Sequence, residues 1–493
     1  MIHYSQISMR SAFSLIIACG SLLAAEPPPA PLDPAAIAAE PVRYLENDRL
    51  KLGIHLGAGG AITYLEDKQR KSGNMVNSFD WGRQIQLSFY SGPKPYIGPN
   101  GETPDPTWAG LGWNPVQAGS VARVPSKTTA FERGPDFMRV RCIPMQFSHA
   151  NIPADCDFEA TYRLLGDNVV EMRGRIINRR SDKTQYPACN QEMPALYTNG
   201  PWYRLVTYLG DAPFTKAALT TVVGKDEVKG WPSTAWAKWH ATEHWAALVD
   251  DEGWGVGLFQ PDTCSFGGGF AGGNELKGKG GPQDGQTGYL TAGAMRILDH
   301  NIDLAYSTHI VVGTLDEIRA HASKQPPQAP TWKFTTDRHG WIYENASDAG
   351  WPIQNGLKIT HKATPRGAMI SDVIHWQAAD APILEIEAAF TSVTPTTQVD
   401  VEFQPFEPAD RTDFPAWEVA SPPIIEATAR KRKAFPSAPP ILIPLIVPGD
   451  GQLRSHTLNL ADNPAYRGAM KQLRLRLPAT DGTADVRRIE LRR

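Results

Sequence analysis

Three stretches of the chain gather side chains that can do chemistry. The densest is Asn77-Ser78-Phe79-Asp80-Trp81-Gly82-Arg83-Gln84-Ile85-Gln86-Leu87-Ser88-Phe89-Tyr90. The others are Trp113-Asn114-Pro115-Val116-Gln117 and the run from Gln191-Glu192 through Tyr197 to Trp202-Tyr203-Arg204. Each sets aromatic rings beside amides, and two of the three add carboxylates and arginine. A sugar offers hydroxyls to Asp, Asn, Gln and Arg and C–H faces to rings, so its site needs flat apolar surface with a few oriented polar groups. Period-two spacing puts Arg83, Ile85 and Leu87 on one strand face and Gln84, Gln86 and Ser88 on the other, a polar face suited to a groove. The expected substrate-binding residues are Asn77, Trp81, Arg83, Gln84, Gln86, Tyr90, Trp113, Asn114, Gln117, Tyr197, Trp202, His244 and Phe270.

Cleaving an acetal needs a carboxylic acid to protonate the leaving oxygen and, usually, a second carboxylate. Glu192 is the expected general acid: rings and amides surround it, Met193-Pro194 follows it, and an apolar setting favours a protonated carboxyl. Asp80 or Glu243 is the expected partner. Elimination is the alternative, with Tyr203 or His240 removing a proton beside a uronate carboxylate that Asn114 or Arg83 neutralises. Epimerisation would pair His240 with Glu192. Non-catalytic glycan binding would use the aromatic and amide clusters equally well. Catalysis ranks ahead of it because carboxylates and a histidine share those clusters.

His240-Ala241-Thr242-Glu243-His244 fits H-x-x-E-H, a zinc-peptidase pattern. That chemistry needs both histidines on one helical face. Here the segment runs into Trp245–Val249, Asp250-Asp251-Glu252-Gly253 and Trp254–Phe259, which reads as a β-hairpin. His240, Glu243 and His244 therefore read as polar groups at the start of a strand, and no metal is expected. No Walker A, G-x-S-x-G or EF-hand sequence is present, and Gly57-Ala58-Gly59-Gly60 leads into strand-like Ala61–Leu65 rather than the helix a dinucleotide fingerprint must open. No cofactor is expected, and the sequence leaves a structural Ca²⁺ undecided.

The elements that must position these residues are strands. Val170-Glu171-Met172-Arg173, Val399-Asp400-Val401-Glu402 and Leu473-Arg474-Leu475-Arg476-Leu477 alternate with period two. No long segment has apolar residues at helical spacing. A short helix from Leu315 to Ser323 is predicted by the capping-box pattern Thr314-Leu315-Asp316-Glu317. Ten glycines between 267 and 288 predict a ligand-wrapping loop that presents Phe270. The class is all-β.

Composition narrows the partners. The 493 residues carry a net charge of −3, so nothing neutralises phosphates over a domain and nucleic acid is excluded as a partner. The run Arg430-Lys431-Arg432-Lys433 reads as a solvated turn. Arg10, the apolar Ala12–Ala18 and the small residues to Ala25 predict an export signal over 1–25 and an extracytoplasmic protein. Ile16-Ile17-Ala18-Cys19 leaves a lipid anchor at Cys19 as a second processing route. No segment is apolar enough in sequence to span a bilayer. Cys142, Cys156, Cys189 and Cys264 remain, either in one or two disulfides of undetermined pairing or as buried thiols. A Pro-rich spacer follows over 26–41, a body over 42–324, the linker Gln325-Pro326-Pro327-Gln328-Ala329-Pro330, and a second domain over 331–493.

Gly59–Leu65, Asn77–Arg83, the strands from Thr161 to Asn178 and Trp245–Val249 leading to Gly255-Val256-Gly257 give the body a family likeness. It resembles the galactose-mutarotase-like β-supersandwich of carbohydrate-active proteins. Tyr466-Arg467-Gly468, Leu473–Leu475 and Ile489–Leu491 make the second domain similar to jelly-roll modules appended to such enzymes. The resemblance implies a large antiparallel supersandwich followed by a smaller sandwich, with functional residues on the concave face of the large sheet. Asp80, Arg83, Glu192, Tyr203, His240 and Glu243 have the types it calls for. The combined expectation is a glycan-cleaving enzyme, first a glycoside hydrolase, acting on a polysaccharide or oligosaccharide, with oligomeric state open.

Overall fold

The structure is a computed structural model that describes residues 34–223, 237–271, 280–325, 329–406 and 439–493. The expected export segment, the basic run 430–433 and residues 272–279 of the glycine-rich stretch lie outside the described residues. The regular structure of those described is almost all strand, every strand pair in the sheets is antiparallel, and no described helix is long and apolar enough to cross a membrane.

The N-terminal body stacks two large sheets. Among the described residues the outer sheet has nine strands, running from Thr220–Val223 at one edge through Trp245–Val249, Trp254–Phe259 and Asp303–Thr314 to Lys127–Arg133 at the other. The inner sheet has seven, in the order Ala237–His240, Ser265–Ala271, Thr287–Arg296, Cys189–Asn199, Gln86–Ser88, Pro115–Val116 and Met145–Gln146. Alternation sends Leu196, Leu290, Ala292, Phe266 and Leu87 into one large buried core with Phe158, Met172, Leu248 and Ile310 of the outer sheet. The three-stranded sheet Val42–Glu46, Leu50–His55 and Ala61–Asp67 adds Leu52, Ile54 and Leu65 to the same core. The expected hairpin is present, with Trp245 opposite Phe259.

The helix Leu315–Ala322 packs on the back of the outer sheet, burying Ile318 and Ala322 beside Trp245 and Phe259. Its capping box forms as the sequence indicates: Thr314 Oγ1 accepts from Glu317 N, and the Glu317 carboxylate accepts from Thr314 N.

The C-terminal domain has its own core around Phe390, Phe403, Leu475 and Ile489. One long strand, Ile383–Pro405, serves both layers of a sandwich. Its first part pairs with Gly482–Arg492 and Arg454–Asn459, and its second with Ala469–Arg476 and Ile441–Asp450. Polar groups lock this domain to the body. Arg338 Nη1 reaches Asp299 of the body at 2.5 Å and Arg338 Nε reaches Asp348 of its own domain at 2.5 Å. Arg296 pairs with Asp372 at 2.7 Å, and Cys264 N donates to Val373 O at 3.0 Å. The four cysteines are unpaired thiols, three of them buried.

Candidate functional site

The inner sheet has one apolar face and one polar face. Opposite residues in a strand pair share a face, so the register fixes which side chains meet. Glu192 lies opposite Gly293 and Ser88, Ala195 opposite Thr291 and Gln86, and Tyr197 opposite Tyr289. Thr291 in turn lies opposite Gly267, and Gly267 opposite Lys238. Lys238, His240, Gly267, Tyr289, Thr291, Glu192, Tyr197, Gln86 and Ser88 therefore occupy the face turned away from the core. Among the described strand residues of that face, Glu192 is the carboxylate.

A one-residue register shift separates Glu192 from Ala195 on both sides of the central strand. Pro194 lies within it and has no N–H for the ladder, so the strand bulges there. Without the bulge Glu192 would share the parity of Leu196 and point into the core. Asn190 shares the Glu192 face: a Cβ on Gly293 would lie 2.9 Å from Asn190 Oδ1, and glycine leaves that space to the amide.

Two phenols converge on the carboxylate. Tyr90 OH donates to Glu192 Oε2 at 2.7 Å, and Tyr289 OH donates to Oε1. The Tyr197 ring lies 4.8 Å from that of Tyr289. Burial, together with the negative charge of Glu192, pushes the Tyr90 and Tyr289 phenols well above the usual tyrosine value, so both stay protonated. Ser88 Oγ donates to Tyr90 OH at 3.1 Å, and Asn114 Nδ2 approaches Ser88 Oγ at 3.4 Å. Asn114 Oδ1 is buried without a partner in this protein alone, polar capacity available to a ligand or to water. The result is a carboxylate that accepts two hydrogen bonds, flanked by neutral phenols, with amides behind it.

Other expected residues sit nearby in supporting roles. Gln84 and Gln86 share the polar face as the alternation indicates, yet both are fully buried. Gln86 accepts from Ala118 N at 2.8 Å and donates to Trp81 O at 3.0 Å, and Gln84 donates to Asp80 O at 2.7 Å. They tie a loop down instead of lining an open groove. Asp80 accepts from Gly82 N and pairs with Arg83 at 3.2 Å, and Arg83 also donates to Gly285 O. Asn77 donates to Asp284 O, and Trp81 Nε1 to Arg123 O. These residues hold the 77–86 loop against the 280–286 loop.

Several expectations are corrected by burial. Trp113 is fully buried, its indole N–H on Asp155 and its ring under Arg180. Gln117 bonds Gly59 O and Leu87 N inside the core. Trp202 packs against Trp254, and the Tyr203 phenol donates to Asp251. Phe270 belongs to a strand and fills the core, so it is not presented from a loop. Glu243 is wholly buried, accepting from Arg319 at 2.8 and 2.7 Å, from Trp245 Nε1 at 3.0 Å and from Phe214 N at 2.8 Å. It faces the outer helix and not the polar sheet face. His244 is buried beside Pro261 O in a turn, and His240 ends a strand, so H-x-x-E-H forms no helix. No group of three or more His, Cys, Asp or Glu among the described residues is placed to hold a metal.

His240 does share the Glu192 face, three strands away, which at about 4.8 Å per strand is roughly 14 Å. Burial and the nearby Lys471 ammonium push its pKa down to about 4. Sequence reasoning missed Tyr289. The alternation of Thr287, Tyr289 and Thr291 with Leu290 and Ala292 was the available signal for Tyr289.

No protein-family model and no curated protein sequence matches the chain. Solved structures with partial likeness include a 4-alpha-glucanotransferase from Thermococcus litoralis, 10% identical with a TM-score of 0.31, covering 58% of this chain and 39% of that one. A protein described as a mutarotase from Salmonella typhimurium is 12% identical with a TM-score of 0.30, covering 55% of this chain and 90% of that one. A polysaccharide lyase is 10% identical with a TM-score of 0.30, covering 88% of this chain and 47% of that one. The chain thus spans about two fifths of the glucanotransferase and about half of the lyase.

Proposed function

We propose that the chain is a carbohydrate-active enzyme that cleaves a glycan by proton transfer through Glu192. The observation that carries this reading is the Glu192 carboxylate held by Tyr90 and Tyr289 on the polar, ring-lined face of an otherwise apolar sheet. The Tyr197 and Tyr289 rings, tilted against each other, offer apolar surface to C–H faces, and Ser88 and Asn114 offer polar groups beside them.

Hydrolysis is the first route. Glu192 takes a proton from water attacking the anomeric carbon, and the Tyr90 or Tyr289 phenol protonates the leaving oxygen as the glycosidic carbon–oxygen bond breaks. A two-carboxylate hydrolase would need a second carboxyl roughly 5–10 Å away, and Asp80 and Glu243 are committed to Arg83 and Arg319.

A specific observation favours elimination as the second route: the neighbours of Glu192 are neutral phenols. Glu192 would remove the proton beside a uronate carboxylate, the carbon–oxygen bond to the leaving sugar would break as a C=C bond forms, and a phenol would protonate the departing oxygen.

Residues 26–493 and their Glu192→Gln variant, incubated with a polysaccharide panel, test the proposal. Reducing ends should appear with the parent and fall by at least about 10²-fold in the variant, the usual worth of a positioned acid or base. Reducing ends without ultraviolet absorbance mean hydrolysis, and reducing ends with it mean elimination. Undiminished turnover by Glu192→Gln removes Glu192 from the chemistry, and no release from any polymer removes the cleavage reading.

A further inference from the structure

We propose that the glycan taken at this site carries 2-acetamido sugars, and that Asn190 and Met295 receive the acetamido group beside Glu192. The inference rests on the reading of Glu192 as the site's carboxylate, and it names the substrate class.

Asn190 and Met295 lie opposite each other on the Cys189–Asn199 and Thr287–Arg296 strands, the next pair on the face that holds Glu192 and Gly293. Leu290, Ala292 and Ala294 take the core side of their strand, so Met295 stands on the polar side, and its partner Asn190 stands there with it. Two residues along a strand advance about 7 Å. That places Asn190 within one monosaccharide and its substituents of the Glu192 carboxylate.

Asn190 is unspent where the amide beside it is not. Gln191 turns the other way and clamps the Tyr90 backbone, accepting from Tyr90 N at 2.8 Å and donating to Tyr90 O at 2.9 Å. No hydrogen bond from the described residues engages the Asn190 carboxamide, and the side chain is only half-buried. The amide lies over Gly293, where a Cβ would meet Oδ1 at 2.9 Å and Nδ2 at 3.0 Å. Gly293 is not in the left-handed region, so what the glycine supplies is room for the amide.

Met295 is the second, independent observation. It is 37% exposed, and among the described strand residues of the inner sheet it is the large apolar side chain open to solvent. Around Glu192 the face is otherwise phenol, hydroxyl and amide. An exposed thioether is an adaptable apolar contact. Set beside an unspent carboxamide, it complements an acetamido group, which joins a methyl to a C=O and an N–H. Asn190 offers the C=O a donor or the N–H an acceptor, and Met295 covers the methyl. A 2-hydroxyl in the same place would use Asn190 and leave Met295 in water.

Native affinity electrophoresis of the Glu192→Gln protein separates this inference from the catalytic one. The gels contain glycol chitin or chondroitin, which carry acetamido sugars, or hydroxyethyl cellulose or polygalacturonate, their neutral and acidic counterparts without them. At least one acetamido polymer should be bound about tenfold more tightly than its counterpart, the worth of one seated methyl. Adding Asn190→Ala should weaken that binding by about tenfold. Gly293→Ala keeps Asn190 but pushes its amide aside, and should weaken binding likewise. Met295→Ser should bring each polymer and its counterpart within about threefold. All three positions tolerate the change structurally, two being partly exposed and the third a strand glycine, so far-UV circular dichroism should match the parent. Equal binding of the counterparts, no binding of either acetamido polymer, or an Asn190→Ala protein held as tightly as its parent each overturns the acetamido proposal. None of these touches the role of Glu192, which turnover by Glu192→Gln decides alone.

Discussion

Glu192 and Glu243 are of the same residue type and were both candidates for catalysis, yet their surroundings demand opposite responses to one substitution. Glu243 has no exposed side-chain surface and accepts four hydrogen bonds, two of them from Arg319, whose side chain is 13% exposed. Glu243→Gln removes the charge but keeps the volume, leaving the Arg319 guanidinium buried without its counter-charge beside the carboxamide. Breaking one partner of a buried pair costs about 3–5 kcal/mol. In a domain of this size each kcal/mol moves Tm by about 2–4 °C, so the midpoint should fall by on the order of 10 °C. Glu192→Gln, whose partners are neutral phenols, should leave the midpoint within about 3 °C, because phenol–amide bonds replace phenol–carboxylate bonds at a cost near 1 kcal/mol. Differential scanning calorimetry gives the midpoints, and turnover per folded molecule gives the activity. Glu243→Gln should be unstable and active, and Glu192→Gln stable and inactive. A Glu243→Gln protein with an unchanged midpoint and lost turnover would refute the assignment of Glu243 to structure.

Two further outcomes are expected. Arg338 is 6% exposed and joins Asp299 of the body to Asp348 of the C-terminal domain, so Arg338→Met strands two buried carboxylates and should cost about 3–5 kcal/mol. Calorimetry should then show the C-terminal domain melting ahead of the body, and a single transition at the parent midpoint would mean that other contacts couple the domains. His240, His244, His321 and His375 all sit near pKa 4, each chiefly because burial disfavours the imidazolium. The unfolded chain, with histidines near 6.5, therefore binds more protons than the folded one between pH 6.5 and 4, and stability falls as pH falls through that window. Urea midpoints measured across it should decline steadily, and a flat profile would contradict the neutral state of these residues in the fold.

The sequence alone fixed a good deal of this molecule. Period-two alternation identified the all-β class, the hairpin from Trp245 to Phe259, and the shared face of Gln84, Gln86 and Ser88. The Thr314–Glu317 pattern located a helix start. These features are local: side-chain periodicity and capping are written within a few residues. What alternation cannot say is which face another layer covers. Gln86 and Gln117 looked like groove residues and are buried amides satisfied by backbone, Phe270 looked like loop and is core, and Glu243 looked catalytic and neutralises an arginine 76 residues away. The site itself is a tertiary product. Tyr289 reaches Glu192 across 97 residues of sequence because two strands pair in one register. Long-range pairing and the order of layers decide which of these faces meet and which are covered, and no short-range pattern encodes either.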